Sequence, residues 1–234
     1  GQRFCMPHEF TGFGPALRFL KALMENNERE WFEANRLRYE EDVREPARAF
    51  VRAMQPLLRK ISPAFVADDR KVGGSIMRVH KDVRFAKDKT PYKTNLGIQF
   101  RHRTGKDVHA PGMYVHVQPG SLFLGSGMWH PEPDALHTLR HAIASSLPKW
   151  RAAVGDPKLT ECWTPGGASL KRAPKDFVAD HPAIEDIKRT DFILGAPLTL
   201  AEVESPQLVE LTASRFMVSR PYLKFQCSAL KLDC

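Results

Sequence analysis

The chain has 234 residues, 42% hydrophobic and 26% charged, a balance that fits a folded globular protein and excludes a disordered one. Its net charge of +8 favours anionic partners, but the positive residues are spread along the chain, so charge alone does not single out nucleic acid. No stretch offers the roughly 20 continuous apolar residues of a membrane span, and the first residues lack the apolar run of a signal peptide, so a cytoplasmic protein without membrane attachment is expected.

Residues 1–9 read as a tail before a single domain over 10–234. Pro15 suits a first helical turn, and Leu17, Leu20, Leu23 and Met24 recur at helical spacing up to Asn26-Asn27. A second helix is expected from Glu28 to Glu45, with Trp31, Phe32, Asn35, Tyr39 and Val43 on one stripe, and Pro46 breaks or restarts it. The stripe reads mainly as core. A third helix carries Phe50, Val51, Met54, Leu57, Leu58 and Ile61.

From Gly73 the period changes to two. Thr94–Arg101 and Met113–Gln118 alternate apolar with polar residues, and Ser121–Leu124 follows a Pro119-Gly120 turn, so a hairpin meander is expected. Gly125–Pro131 reads as a loop that could lie over a ligand, with Trp129 in it. Leu136, Leu139, Ile143 and Leu147 mark another helix, residues 154–182 read as loops, and Leu208, Leu211 and Phe216 begin a further helix before a short one near Pro221. The expected fold is α+β, an antiparallel meander flanked by N-terminal and C-terminal helices.

The four cysteines, Cys5, Cys162, Cys227 and Cys234, show neither metal-finger nor redox spacing. Cys227 and Cys234 could share a helical face, but two turns place them roughly 10 Å apart, too far for a disulfide. His137 and His141 are four apart on an expected helix, yet no Glu stands between them in the zinc-protease pattern, and no metal site is assigned.

The segment Arg78–Lys93 holds the densest charge. If 76–84 is extended, Arg78, His80, Asp82 and Arg84 share one face, while Met77, Val79, Val83 and Phe85 share the other with Lys81. Two guanidiniums and an imidazole in a row suit phosphate or carboxylate oxygens. Lys89 and Lys93 would add charge, Tyr92 a neutral donor, and Asp82 or Asp88 a general base or metal partner. A salt-bridged polar face that only supports the fold explains the same pattern. His116 is a further candidate because it falls on a neighbouring strand.

This segment, Arg-Val-His-Lys-Asp-Val-Arg-Phe-Ala-Lys-Asp-Lys-Thr-Pro-Tyr-Lys, resembles the fingerprint of an uncharacterised family, domain of unknown function 2461. Asn26–Phe32 with Tyr39-Glu40, Gly125–Pro131, Leu170–Lys175 and His181-Pro182 are similar to other parts of it, so the resemblance spans about residues 10–225. The sequence departs from it at Lys81, where Arg is expected, and at Asp176, where Gly is expected. The resemblance implies no established activity or cofactor. It strengthens Arg78, Asp82, Arg84, Asp88, Lys89 and Tyr92 as site residues.

Three readings follow. The first is a domain that binds a phosphorylated or carboxylated small molecule through Arg78, His80, Arg84, Lys89, Tyr92, Lys93, His116 and Trp129, and whose catalytic candidates, if it is an enzyme, are Asp82 and Asp88. The second is a nucleic-acid-binding module, disfavoured because no clustered basic stripe or known motif is present. The third is an interaction protein whose polar segment is purely structural.

Overall fold

The computed structural model describes residues 9–105 and 109–234, so Cys5, His8 and nearly all of the expected tail lie outside the described residues. Helix α1 (Gly14–Glu25) has Pro15 in its first turn as expected, and burial of Leu17, Phe19, Leu20 and Leu23 fixes its inner face. The second helical stretch is not continuous up to Pro46. It is divided into α2 (Arg29–Ala34), α3 (Arg36–Tyr39) and a π-helical turn over Glu40–Arg44 that runs directly into α4 (Glu45–Ile61). Of the two roles expected for Pro46, the structure shows the restart: it falls in the first turn of α4, where a proline is well tolerated.

Phe32, Tyr39 and Val43 are buried, so the aromatic stripe is core. Phe32 stacks on Tyr92 with ring centroids 4.1 Å apart, and Asn27 holds the backbone of Tyr92 from both sides. Its side-chain oxygen accepts from Tyr92 N at 3.1 Å, and its amide donates to Tyr92 O at 2.9 Å. The N-terminal helices and the charged segment are therefore tied together at one residue.

Strands β1 (Leu96–Arg101), β2 (Gly112–Gln118), β3 (Ser121–Met128), β4 (Thr164–Gly166) and β5 (Phe192–Pro197) form one antiparallel sheet in the order β1-β2-β3-β5-β4. Gln118 pairs with Ser121 across the tight β2–β3 turn, where Gly120 takes the positive φ of 82° that the turn needs. The meander extends the expected one by β5, which returns beside β3 after the intervening helices, and by the short β4.

Alternation gives the sheet two unlike faces. Ile98, Phe100, Met113, Val115, Leu124, Phe192 and Leu194 point into the core. The covering helices include α6 (Leu147–Val154) and α10 (Leu208–Ala229), which follow α5 (Pro133–Ser145), α7 (Pro157–Cys162), α8 (Ile184–Ile187) and α9 (Leu200–Val203) in the chain. Phe216 of α10 meets Phe100 edge-on at 6.2 Å, and Trp150 of α6 meets Phe192 in the same way. The buried Ser126 hydroxyl donates to Ser219 at 2.8 Å, locking β3 to α10. Helix α10 passes through Pro221 without interruption, so the expected short final helix is part of it. Among the described residues, no helix is long and apolar enough to cross a membrane.

The C-terminal cysteines are not two helical turns apart. Helix α10 ends at Ala229, Lys231 takes a left-handed φ of 57°, and the chain folds back so that Cys234 Sγ lies 2.7 Å from the buried Cys227 Sγ. The helix-spacing argument therefore fails here. Mild oxidation should link this pair, read as a loss of two hydrogens in the intact mass, and Cys234→Ser should abolish that loss.

Candidate functional site

The charged segment does not form one continuous strand. Only Ile76 bridges to Ile98 of β1 and His80 to Tyr92, and residues 82–89 form an exposed tip on which Phe85 is 95% exposed. The expected faces are partly kept. Arg78, His80, Asp82 and Arg84 are all exposed, and Val79 is buried, but Phe85 breaks the apolar side.

Most charges here are paired locally. Arg84 makes a two-pronged contact with Asp82, at 3.1 and 2.8 Å, and holds that carboxyl below the usual carboxylate range. Lys81 donates to Asp88 at 2.8 Å and, together with the N–H and hydroxyl of Thr90, lowers its pKa to about 2. Lys89 donates to Val83 O. Among the described residues, Arg78 and Lys93 have no carboxylate partner. Lys93 is half-buried, and its pKa is lowered first by that burial and then by the positive charge of Arg78. His80 packs beside Phe32 and Tyr92, and the Tyr92 ring is only 3% exposed.

His116 and Trp129 sit elsewhere, together with residues not anticipated from the sequence. The sheet face that points away from the core carries a groove of about 540 Å³, lined by Met77, Gln99, Tyr114, His116, Phe123 and Trp129 among others. Its floor includes Gly125 and Gly195, which pair across β3 and β5. A Cβ on Gly125 would meet nothing nearer than 3.5 Å and one on Gly195 nothing nearer than 4.0 Å, so neither glycine is required by its backbone. Their effect is to leave the space above the sheet unfilled.

Polar groups are few and ordered. The Tyr114 hydroxyl lies 2.7 Å from His116 Nδ1, His116 Nε2 lies 2.9 Å from Gln118 Oε1, and the Gln118 amide donates to Thr94 at 3.1 Å. Because Gln118 Oε1 can only accept, Nε2 carries the proton and Nδ1 accepts from Tyr114. Burial favours this neutral state, lowering the His116 pKa and pushing the Tyr114 phenol up to about 12. The His116 ring stacks on Phe123 at 4.5 Å. Gln99 Oε1 is buried and, among the described residues, has no hydrogen-bond partner, which leaves an acceptor in the groove wall for a donor on a ligand.

One rim depends on Asp191, which is 1% exposed. Its Oδ1 accepts from His130 N at 2.7 Å and lies 2.9 Å from His130 Nδ1, and its Oδ2 accepts from Ala168 N at 2.9 Å. The loops carrying Trp129 and Gly167 are thereby drawn to one point. Gly167 has φ 80°, and a Cβ there would fall 2.3 Å from Asp191 Cβ, so glycine is obligatory at that position. Gly125–Met128, expected as loop, belongs to β3, and only Trp129 onward leaves the strand.

Two outcomes test this geometry. Asp191→Ala removes the buried acceptor of two backbone N–H groups and should lower stability by about 2 kcal/mol in urea unfolding, with the Trp129 fluorescence shifted. Because the folded state disfavours the His116 proton that the unfolded chain binds below about pH 6.5, stability should fall as pH drops from that value. His116→Gln should remove that part of the slope when unfolding at about pH 7.5 and 5.5 is compared.

No curated protein and no solved structure matches the chain. The model of one family, described as Conserved hypothetical protein (DUF2461), matches residues 15–225, and with nearly the whole chain covered the protein belongs to that family.

Proposed function

We propose that the groove binds a flat, ring-bearing small molecule whose anionic group is held at the neighbouring edge of the sheet by Arg78 and Lys93. The observation that carries this reading is the unfilled glycine floor, because Gly125 and Gly195 leave room that the backbone does not demand. A groove of this size and apolar character suits a small ligand. Phe123, His116 and Trp129 offer ring faces, and Gln99 Oε1 accepts from a ring N–H or O–H. Arg78 follows Met77, itself in the groove wall, and its charge acts on the half-buried Lys93, so the two cations lie near one another.

The remaining charges of the segment then act on its shape. Arg84–Asp82 and Lys81–Asp88 order the tip through ion pairs, and such exposed pairs contribute little to stability. Asp82 and Asp88, held ionised well below neutral pH, suit this role better than that of a general base. If the groove is catalytic, the Tyr114–His116 pair is its proton-handling group, with His116 as acceptor. The proposal places the protein in the cytoplasm, in keeping with its free thiols Cys162, Cys227 and Cys234.

Thermal-shift and calorimetric titrations with mononucleotides, aromatic carboxylates and inorganic phosphate test the proposal. A ring-bearing anion should stabilise the wild type by about 2.7 kcal/mol at a hundredfold excess over Kd. Gly125→Leu, which fills the floor, should abolish the effect, and Arg78→Ala should weaken it about tenfold or more. Ligand binding indifferent to Gly125→Leu, or salt-dependent binding to generic DNA in place of any small molecule, would overturn it.

A further inference from the structure

Away from the groove, His137 and His141 of α5 meet Asp176 from the loop between β4 and α8. One ligand atom from each of the three lies within 4.8 Å of the other two. The imidazoles stand one helical turn apart, with ring centroids 4.4 Å from each other, and all three residues are exposed. Among the described residues, no hydrogen bond or ion pair engages any of these three side chains.

Asp176 is an independent sign. Its backbone has φ 76°, in the left-handed region that costs most side chains free energy. Next to it, Phe177 packs on the His141 ring at 4.9 Å and is partly buried against the core, which docks the loop on α5. The strained backbone and the docked neighbour together bring a carboxylate with no hydrogen-bond partner to the two histidines.

We propose that His137, His141 and Asp176 form a surface site for one divalent transition-metal ion of the zinc class. Two neutral imidazoles and a carboxylate are a three-ligand set that leaves a coordination position for water or for an outside donor. In tetrahedral coordination with bonds near 2.0 Å, ligand atoms sit about 3.4 Å apart. Small side-chain rotations of exposed residues close the site to that spacing. The borderline-soft nitrogens favour zinc, cobalt or nickel over magnesium.

Calorimetric titration of the tag-free full chain with zinc chloride, and cobalt(II) absorption spectroscopy, test the site. The wild type should take up one equivalent of zinc, show a cobalt d–d band and ignore magnesium. His141→Ala and Asp176→Gly should each weaken zinc binding by about tenfold or more. Asp176→Gly also relieves the left-handed strain, so its metal-free melting temperature should be no lower than that of the wild type, which separates loss of metal from loss of fold. Absence of zinc binding, or binding unchanged in both variants, as uptake at the Cys227–Cys234 pair would give, overturns the proposal.

Discussion

The carboxylate of Asp191 is where the two ends of the sheet's open face are tied together. It stands just before β5, whose partner β3 ends just before His130, and it accepts from the backbone of His130 on one side and of Ala168 on the other. A buried acceptor of this kind is costly to leave unsatisfied, and so are its donors. Each loop must therefore bend towards it, at φ 48° for His130 and 80° for Gly167. Trp129 is carried along by the first bend and the Gly166-Gly167 pair by the second, which gives the groove its rim. Without this clamp, the glycine floor would be an open strip of sheet with nothing to enclose it.

Beneath the rim, the two faces of the sheet have opposite demands. The inner face is packed by Phe100, Phe192 and Phe216, with polar locks at the Ser126–Ser219 hydrogen bond and at the Gln226 amide, which donates to Phe192 O. The outer face keeps a short relay of Tyr114, His116, Gln118 and Thr94 among rings and glycines. In that partly dry setting each hydrogen bond fixes the state of its neighbour, and the imidazole is held neutral with its acceptor towards the phenol. The relay and the unpaired Gln99 oxygen give the groove polar groups of defined direction on an otherwise apolar wall.

Much of the architecture was legible because alternation is strong where one face is buried and the other polar. Leu96–Arg101 and Met113–Gln118 have that pattern, and both are strands. The second half of β3 and all of β5 escaped for a reason tied to the groove. On its outer face β5 presents Ile193, Gly195 and Pro197, and β3 presents Gly125 and Gly127, so no polar residue marks the period and the glycines imitate a loop. The feature that makes the floor open is thus the one that hides it in the sequence. One proline misled in the opposite direction. Pro221 read as the start of a separate short helix, whereas it is absorbed within a long packed one. The charged segment was conspicuous because charge is visible residue by residue, but the pairing of Arg84 with Asp82 and of Lys81 with Asp88 depends on a loop shape that spacing does not encode. His116 and Trp129 were legible as candidates, and their company, Tyr114, Phe123 and Gln99, was not, since it follows from strand register.

The central claim is that the outer face of the sheet is a binding surface. Amide-resolved NMR, with a mononucleotide or aromatic carboxylate titrated into the isotope-labelled protein, tests it most directly. The account predicts saturable shifts concentrated on Gly125, Gly195 and Phe123, on the side-chain amide of Gln99 and on the imidazole of His116, with smaller shifts at Arg78 and Lys93. Shifts confined to the 82–89 tip, or scattered over the helical side while the glycine floor stays silent, would contradict it.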